Sequence, residues 1–407
     1  MSTGTMEAAT TIREPGYTGQ TFLVGEQVYL RGIEEADARL SMSWRPTIFP
    51  ISTELTEEWI KDDFPKEESV TYAIIRKRDD RIVGSIKIDE NGLDHWVEAK
   101  VDPLLGDAGL MAKAEAITLV VDWLVNERGQ GIVHCSGRSD ERPVIDWIEA
   151  FGMRQTARFR EHLVTANGRV DKVFHEYTGP KWVANLGDPN DIPLERTGTG
   201  EPRPVPPPVV LEGDPPRNAM MVGARVYLRP EEPDDADLAA LRSRRETETW
   251  FDIGRHMTSS AHYRNWIKSH EKKDPPDWIT FAVCLRENDT VIGWVALLDV
   301  DYQNRYAETG SFFGDPAYRG GGYGSEAKQL LLEYAFERLG LHVVHSWVFF
   351  PNTRSAAALR KQGYREAGQI NWLYSHQGGM DNMVVFDLLA EEWRAMPRKA
   401  WDDPKSS

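Results

Sequence analysis

The sequence predicts an α/β fold built twice: two tandem domains, each a mixed, mostly antiparallel sheet flanked by helices. Three observations predict it. The chain has 407 residues, too long for one average domain. The stretch Gly25-Glu26-Gln27-Val28-Tyr29-Leu30-Arg31 returns as Gly223-Ala224-Arg225-Val226-Tyr227-Leu228-Arg229, an internal repeat of domain size. After each copy, apolar alternation and helical periodicity follow in one order: strand, helices, three strands, loop, helix, strand, helix, two strands.

Taken in order, residues 1–22 are small and polar without periodicity, and read as disordered. They lack the apolar core of a signal peptide. The first repeat spans 23–178. There, Tyr72 to Arg76 and Ile82-Val83-Gly84 read as strands around the charged turn Lys77 to Arg81. Phe281 to Leu285 and Val291-Ile292-Gly293 repeat them around Arg286 to Thr290. Asp102-Pro103 answers Asp315-Pro316, Val133-His134 answers Val344-His345, and Phe151-Gly152-Met153 answers Gln362-Gly363-Tyr364. The run Ala116 to Val125, interrupted by Asp122, reads as a core helix. Residues 179–221 form a linker, in which Glu201 to Pro208 is proline-dense and reads as a semi-rigid extended segment. The second repeat spans 222–395. The tail, 396–407, follows a last turn around Glu392-Trp393.

Composition narrows the function. Lys plus Arg number 48 against 64 Asp plus Glu, a net charge of -16, which argues against a general nucleic-acid or anionic-membrane binder. The balance is compatible with a cationic or amine substrate. Two cysteines, Cys135 and Cys284, fall in different halves, so a reducing cytoplasm is the expected location. No run approaches the roughly 20 apolar residues of a membrane span. No metal-ligand cluster is expected.

The most informative stretch is Phe312-Phe313-Gly314-Asp315-Pro316-Ala317-Tyr318-Arg319-Gly320-Gly321-Gly322-Tyr323-Gly324-Ser325. An apolar strand enters a loop with three consecutive glycines, which opens an amphipathic helix. The first N–H groups of a helix lack intrahelical partners and sit at the positive end of its dipole. Glycines let the backbone approach a phosphate, and Arg319 adds positive charge, so the stretch reads as a pyrophosphate cradle.

The pattern Arg319-x-x-Gly322-x-Gly324 between a strand and a helix resembles the coenzyme A signature of the GNAT superfamily of N-acetyltransferases. The later Asn352-x-x-Ser355 helix start, one helix before Gly363-Tyr364, resembles the ribosomal-protein-alanine N-acetyltransferase branch. The resemblance implies acetyl-CoA as cofactor and direct transfer of its acetyl group to a primary amine, with the active site in the second domain. It implies that Phe312, Phe313, Arg319, Gly320, Gly321, Gly322, Tyr323, Gly324, Ser325, Asn352 and Ser355 bind the cofactor. It also implies a splayed pair of strands, Tyr306 to Phe313 and His342 to Phe350, receiving the pantetheine arm.

Three side chains carry the chemistry in this reading. Glu308 is a base, through water, or an anchor for the substrate ammonium, against the alternative of an ordinary strand carboxylate. Ser355 protonates the departing thiolate or serves the helix start. Asn352 contacts the coenzyme or caps the helix. The tyrosine acid of many GNAT enzymes has no counterpart, since Leu359 stands there. Trp250, Phe251, His256, Trp278, Trp372 and Tyr374, with Glu308, are candidate acceptor-pocket residues, each of a type that also serves as packing.

The first half reads as a degenerate GNAT-like domain. By the repeat, Arg319 corresponds to Gly106, Gly322 to Gly109, Gly324 to Met111, Glu308 to His95, Asn352 to Glu141 and Ser355 to Val144. Asp107 beside the lost arginine would oppose a pyrophosphate. Two roles stay open for such a domain, packing on the catalytic half as a pseudo-dimer or holding part of the acceptor, and the alternative is a second active site with drifted motifs. The acceptor is a small-molecule amine or a peptide N-terminus. The alternatives are transfer of another acyl group such as succinyl, a hydroxylamine or hydrazine nucleophile, or a non-catalytic acyl-CoA sensor.

Overall fold

A computed structural model describes residues 21–91, 94–191, 200–245, 259–270, 273–376 and 378–398. It divides into two units, Met1–Gln155 with Phe174–Pro189, and Thr156–Val173 with Asn190–Ser407.

In the first unit, β1 (Thr21–Val24), β2 (Val28–Gly32), β3 (Val70–Arg76), β4 (Arg81–Asn91), β5 (Asp94–Val101) and β6 (Ile132–Arg138) pair in chain order. All these neighbours are antiparallel except β5 and β6. Helices α1 (Ser41–Trp44) and α2 (Thr53–Asp62) follow β2, α3 (Gly106–Asp122) follows β5, and α4 (Arg142–Phe151) follows β6. Val28, Leu30, Ile74 and Ile86 from the strands pack with Ala116, Ile117, Val120 and Val121 of α3, all buried. The hairpin β7 (Arg154–Thr165) and β8 (Gly168–Thr178) comes next, and its residues 156–173 belong to the second unit. Helix α5 (Pro180–Leu186) opens the stretch expected to be a linker.

In the second unit, β9 (Met221–Val222), β10 (Val226–Pro230), β11 (Ile279–Leu285), β12 (Val291–Asp301), β13 (Tyr306–Phe312) and β14 (Val343–Phe349) run side by side. The hairpin β15 (Arg365–His376) and β16 (Gly379–Leu389) follows, β16 lying against β14. Only β13 and β14 pair in parallel among these. Helices α6 (Ala236–Arg245), α7 (Ser260–His270), α8 (Tyr323–Glu333), α9 (Thr353–Lys361) and α10 (Ala390–Ala395) complete it. Leu228, Val283, Val295 and Leu297 bury against Ala327, Leu331, Leu332 and Phe336.

The last turn of the second repeat and the proline-dense part of the expected linker both join this core. Trp393 of α10 is fully buried, 5.5 Å from Phe336 between ring centres. Val205, inside the proline-dense run, is 2% exposed and packs in the same cluster.

Buried carboxylates correct part of the repeat alignment. Glu326 of α8 accepts the backbone N–H groups of Arg225 and Val226, at 2.7 and 3.4 Å. Glu115 of α3 accepts those of Glu26 and Gln27. Equating the two helices at these residues places Ala108, Met111 and Lys113 at the positions of Arg319, Gly322 and Gly324. The first unit has two more residues between its Asp-Pro and this carboxylate, which a comparison anchored on Asp102 cannot place. The strands shift too. His95 pairs with Val133 as Ala307 pairs with Val344, so the counterpart of Glu308 is Trp96, not His95.

Candidate active site

The glycine loop takes the shape its sequence suggests. Gly320 and Gly322 have φ of +81° and +82°, the left-handed region that glycine enters at least cost. Gly322 is the N-cap of α8. A Cβ on Gly324 would lie 3.2 Å from the Phe313 ring. Arg225, unremarked in the sequence beyond its place in the repeat, ties the loop together. Its Nε donates to Glu326 at 2.7 Å, one terminal nitrogen donates to the Gly321 carbonyl at 2.8 Å, and the guanidinium lies 4.7 Å over the Tyr323 ring. Arg319 is also drawn inward, donating to the carbonyls of Phe313 at 2.7 Å and Gly314 at 3.2 Å.

A cavity of about 390 Å³ lies at this loop. Phe313, Arg319, Gly320, Gly322, Gly324, Ser325, Asn352 and Ser355 line it, as do Arg203, Arg354 and Lys361. Gly321 and Tyr323 are not among its lining residues; both contact Arg225 instead.

The two parallel strands part beside it. β13 and β14 pair only at Tyr306 with Val343, Ala307 with Val344, and Glu308 with His345. Beyond that, Ser346 reaches across through its hydroxyl to the Thr309 carbonyl at 2.9 Å. A second cavity of about 330 Å³ is lined by Thr309, Gly310 and Ser311 on one strand and Ser346 to Phe349 on the other. Glu308, Lys328, Asn352 and Ser355 also line it. Ser311, Asn352, Ser355, Ala358 and Gln362 are common to both cavities, so the loop and the chamber adjoin.

The chamber holds an acid–base pair. Burial, with a smaller contribution from Asp299, pushes the Glu308 carboxyl up to about 7, and Lys328 opposes that shift. Burial pulls the Lys328 ammonium down to about 7, opposed by Glu308. Lys328 stands on the buried face of α8 at 3% exposure, where helical spacing would place an apolar residue. That lapse in the apolar stripe is the signal that finds it. His345, next to Glu308, is pushed down to about 3 by burial and stays neutral at ordinary pH.

Asn352 is the N-cap of α9, accepting the Ser355 N–H at 3.2 Å. Ser355, third residue of that helix, is therefore not its cap, and lines both cavities.

A third cavity of about 110 Å³ is walled by Tyr263, Trp266, Trp278, Trp294 and Phe312, with Glu231 also lining it. Trp266 and Trp278 meet edge to face at 5.3 Å. Leu298, Gly310 and Ser311 line this cavity and the chamber alike. Phe312, expected at the cofactor, faces here, stacked 6.2 Å from Trp294, because strand alternation sends it and Phe313 to opposite sides of the sheet. Trp372 is buried, its backbone N–H donating to the Asn382 side-chain oxygen at 2.7 Å, and Tyr374 packs edge-on against Phe349 at 4.4 Å. Neither is among the lining residues of the three cavities. Trp250, Phe251 and His256 lie outside the described residues.

In the first unit the loop's place is taken by helix. Gly109, Leu110 and Met111, the counterparts of Gly320, Gly321 and Gly322, lie inside α3. Lys113, at the place of Gly324, forms a buried ion pair of 2.7 Å with Glu141, at the place of Asn352.

Residues 225–365 match the family model described as Acetyltransferase (GNAT) domain. YjcK of Bacillus subtilis (strain 168), named a probable N-acetyltransferase, is 27% identical over 154 residues, covering 37% of this chain and 85% of that protein. YdaF of the same organism, provisionally named a ribosomal N-acetyltransferase, is 26% identical over 175 residues, covering 42% of this chain and 95% of that protein. Among solved structures, a spermidine N-acetyltransferase chimera from Vibrio cholerae and hSSAT aligns with 42% of this chain and 99% of its own, at 19% identity and a TM-score of 0.39.

Proposed function

Starting from residues 225–365 as a GNAT acetyltransferase domain, and hence from an acyltransferase enzyme, we propose that the second unit transfers an acetyl group from acetyl-CoA directly to a primary amine. The observation that carries this reading is the junction of three cavities at Ser311, which joins the glycine loop, the Glu308 chamber and the aromatic pocket.

The residues present fit the cofactor. The left-handed glycines, the open N-terminus of α8 and a cavity lined by four basic side chains suit a pyrophosphate-bearing molecule. Gly320, Gly322, Gly324 and Ser325 would hold it, with Asn352 and the edges of β13 and β14 along its arm. Acetyl-CoA supplies, when bound, the thioester whose acetyl group is transferred. Glu308 takes the proton of the incoming ammonium at its carboxylate, directly or through water, and its raised pKa suits it to both proton states near neutrality. Lys328 compensates the charge of ionised Glu308. Ser355 holds at Oγ the proton that the leaving sulfur requires. Trp266, Trp278 and Trp294 exclude water from the acceptor and offer aromatic faces to a cation.

The acceptor is an amine of small size or a peptide N-terminus; the names of YjcK and YdaF support N-acetylation without selecting between them. The first unit, with helix and the Lys113–Glu141 pair where the second has its loop, does not bind the cofactor in this reading.

A panel of amines incubated with full-length protein and acetyl-CoA, read by release of free thiol, tests the proposal. Turnover of one amine class, lost in Gly324→Trp, is expected. Turnover with succinyl-CoA and none with acetyl-CoA would replace the acetyl assignment. Acyl-CoA binding without turnover of any amine would favour a sensor.

A further inference from the structure

The segment between the two repeats reads as a spacer by composition, yet its proline-dense part is fixed to the second unit. The Arg203 N–H donates to the Lys361 carbonyl at the end of α9, at 2.6 Å. Val205, two residues on, is 2% exposed in the main core and bridges Arg398 in parallel. Pro202 lies beside Gly363, within 3.7 Å of the point where a Cβ would stand. The backbone is thus pinned on both sides of Arg203, and the prolines around it fix φ and reduce the entropy lost on docking.

That pinning places the half-buried Arg203 in the wall of the cofactor cavity. Arg354 and Lys361, seven residues apart on α9 and so on one face, line the same cavity. No Asp or Glu is among its lining residues, in a chain of net charge -16. Arg319 already serves the carbonyls of Phe313 and Gly314. The positive side chains of the linker and α9 are therefore additional to the glycine loop, and no carboxylate lines the cavity to balance them.

We propose that Arg203, with Arg354 and Lys361, forms a phosphomonoester subsite that receives the 3′-phosphate of coenzyme A, so that the segment between the repeats is a working wall of the active unit. This rests on the acyl-CoA reading above and adds a residue outside the 225–365 domain match to the donor site. Guanidinium and ammonium groups are suited to a dianionic phosphate through charge-assisted hydrogen bonds.

Calorimetric titration of the full-length protein with coenzyme A and with 3′-dephospho-coenzyme A tests this. The wild-type protein is expected to bind coenzyme A about tenfold or more tightly than the dephospho form, a gap of about 1.4 kcal/mol or more. Arg203→Ala should weaken coenzyme A binding several-fold and leave the dephospho form unchanged, with Arg203→Lys restoring part of the loss. Arg354→Ala should act the same way, which guards against misfolding of any one variant. Equal weakening of both ligands by Arg203→Ala, or no weakening of either, would overturn the subsite. Equal wild-type affinity for both ligands would overturn it while leaving the cofactor reading intact. Binding of neither ligand would remove the cofactor reading and the subsite together.

Discussion

Lys113 Nζ sits 2.7 Å from Glu141 Oε2 in the first unit, at the two positions that in the second unit are Gly324 and Asn352. The pair is mostly buried, and each partner neutralises the other. Opening such a pair to admit a ligand leaves two costly charges. One repeat thus closes with its own side chains the space that the other keeps open. The expected outcome is one molecule of coenzyme A per chain by calorimetry, abolished by Gly324→Trp. A second site surviving that substitution would show that the first unit binds as well.

In the proposed reaction, Glu308 sets the pH dependence. Its carboxyl is pushed up to about 7 by burial, and the base form is the deprotonated one. The rate constant kcat/KM should therefore rise with pH through about 7. Glu308→Gln should lower turnover by about 10²–10⁴-fold and leave coenzyme affinity unchanged. Full activity of that variant across pH would remove Glu308 from the chemistry.

Lys328 tunes the same group. Its positive charge favours ionised Glu308, so Lys328→Met should move the rising limb to higher pH, by about one unit. The variant should unfold in urea at no lower a concentration than the wild type, because an apolar side chain replaces a buried ammonium. An unmoved limb would show that the two groups are not coupled in the working enzyme.

Asn352 and Ser355 should separate by stability. Asn352→Ala removes the cap of α9 and should cost about 1 kcal/mol in denaturant titration. Ser355→Ala leaves the cap intact and should lower turnover more than stability. Equal stability losses would assign Ser355 to the helix start instead.

Glu326 holds α8 to the start of β10. It is 1% exposed, ion-paired to Arg225 at 2.7 Å and bonded to two backbone N–H groups. Glu326→Ala should destabilise the protein by about 3–5 kcal/mol, since it leaves a charge and those donors without their partner. A change under about 1 kcal/mol would contradict the anchoring role.

The sequence by itself determined the repeated α/β order, the glycine loop opening a helix, and the Asn352 helix start. These are local: periodicity, glycine dihedrals and cap chemistry are written within a few neighbouring residues. The splay of β13 from β14 followed from the family resemblance, not from spacing. Tertiary structure alone decided the rest. Strand alternation sent Phe312 to the aromatic pocket and Phe313 to the glycine loop. The two buried carboxylates Glu115 and Glu326 fixed a repeat register that counting from Asp102 misplaced by two residues. Lys328 became a partner of Glu308 because α8, packed on β10 and β12, turns it into the chamber that Glu308 also lines, and Arg203 became a cavity wall because Val205 is drawn into a core built from elements distant in the chain. Each of these depends on burial and long-range packing, which assign charge, exposure and neighbours to a residue only after the chain has closed on itself.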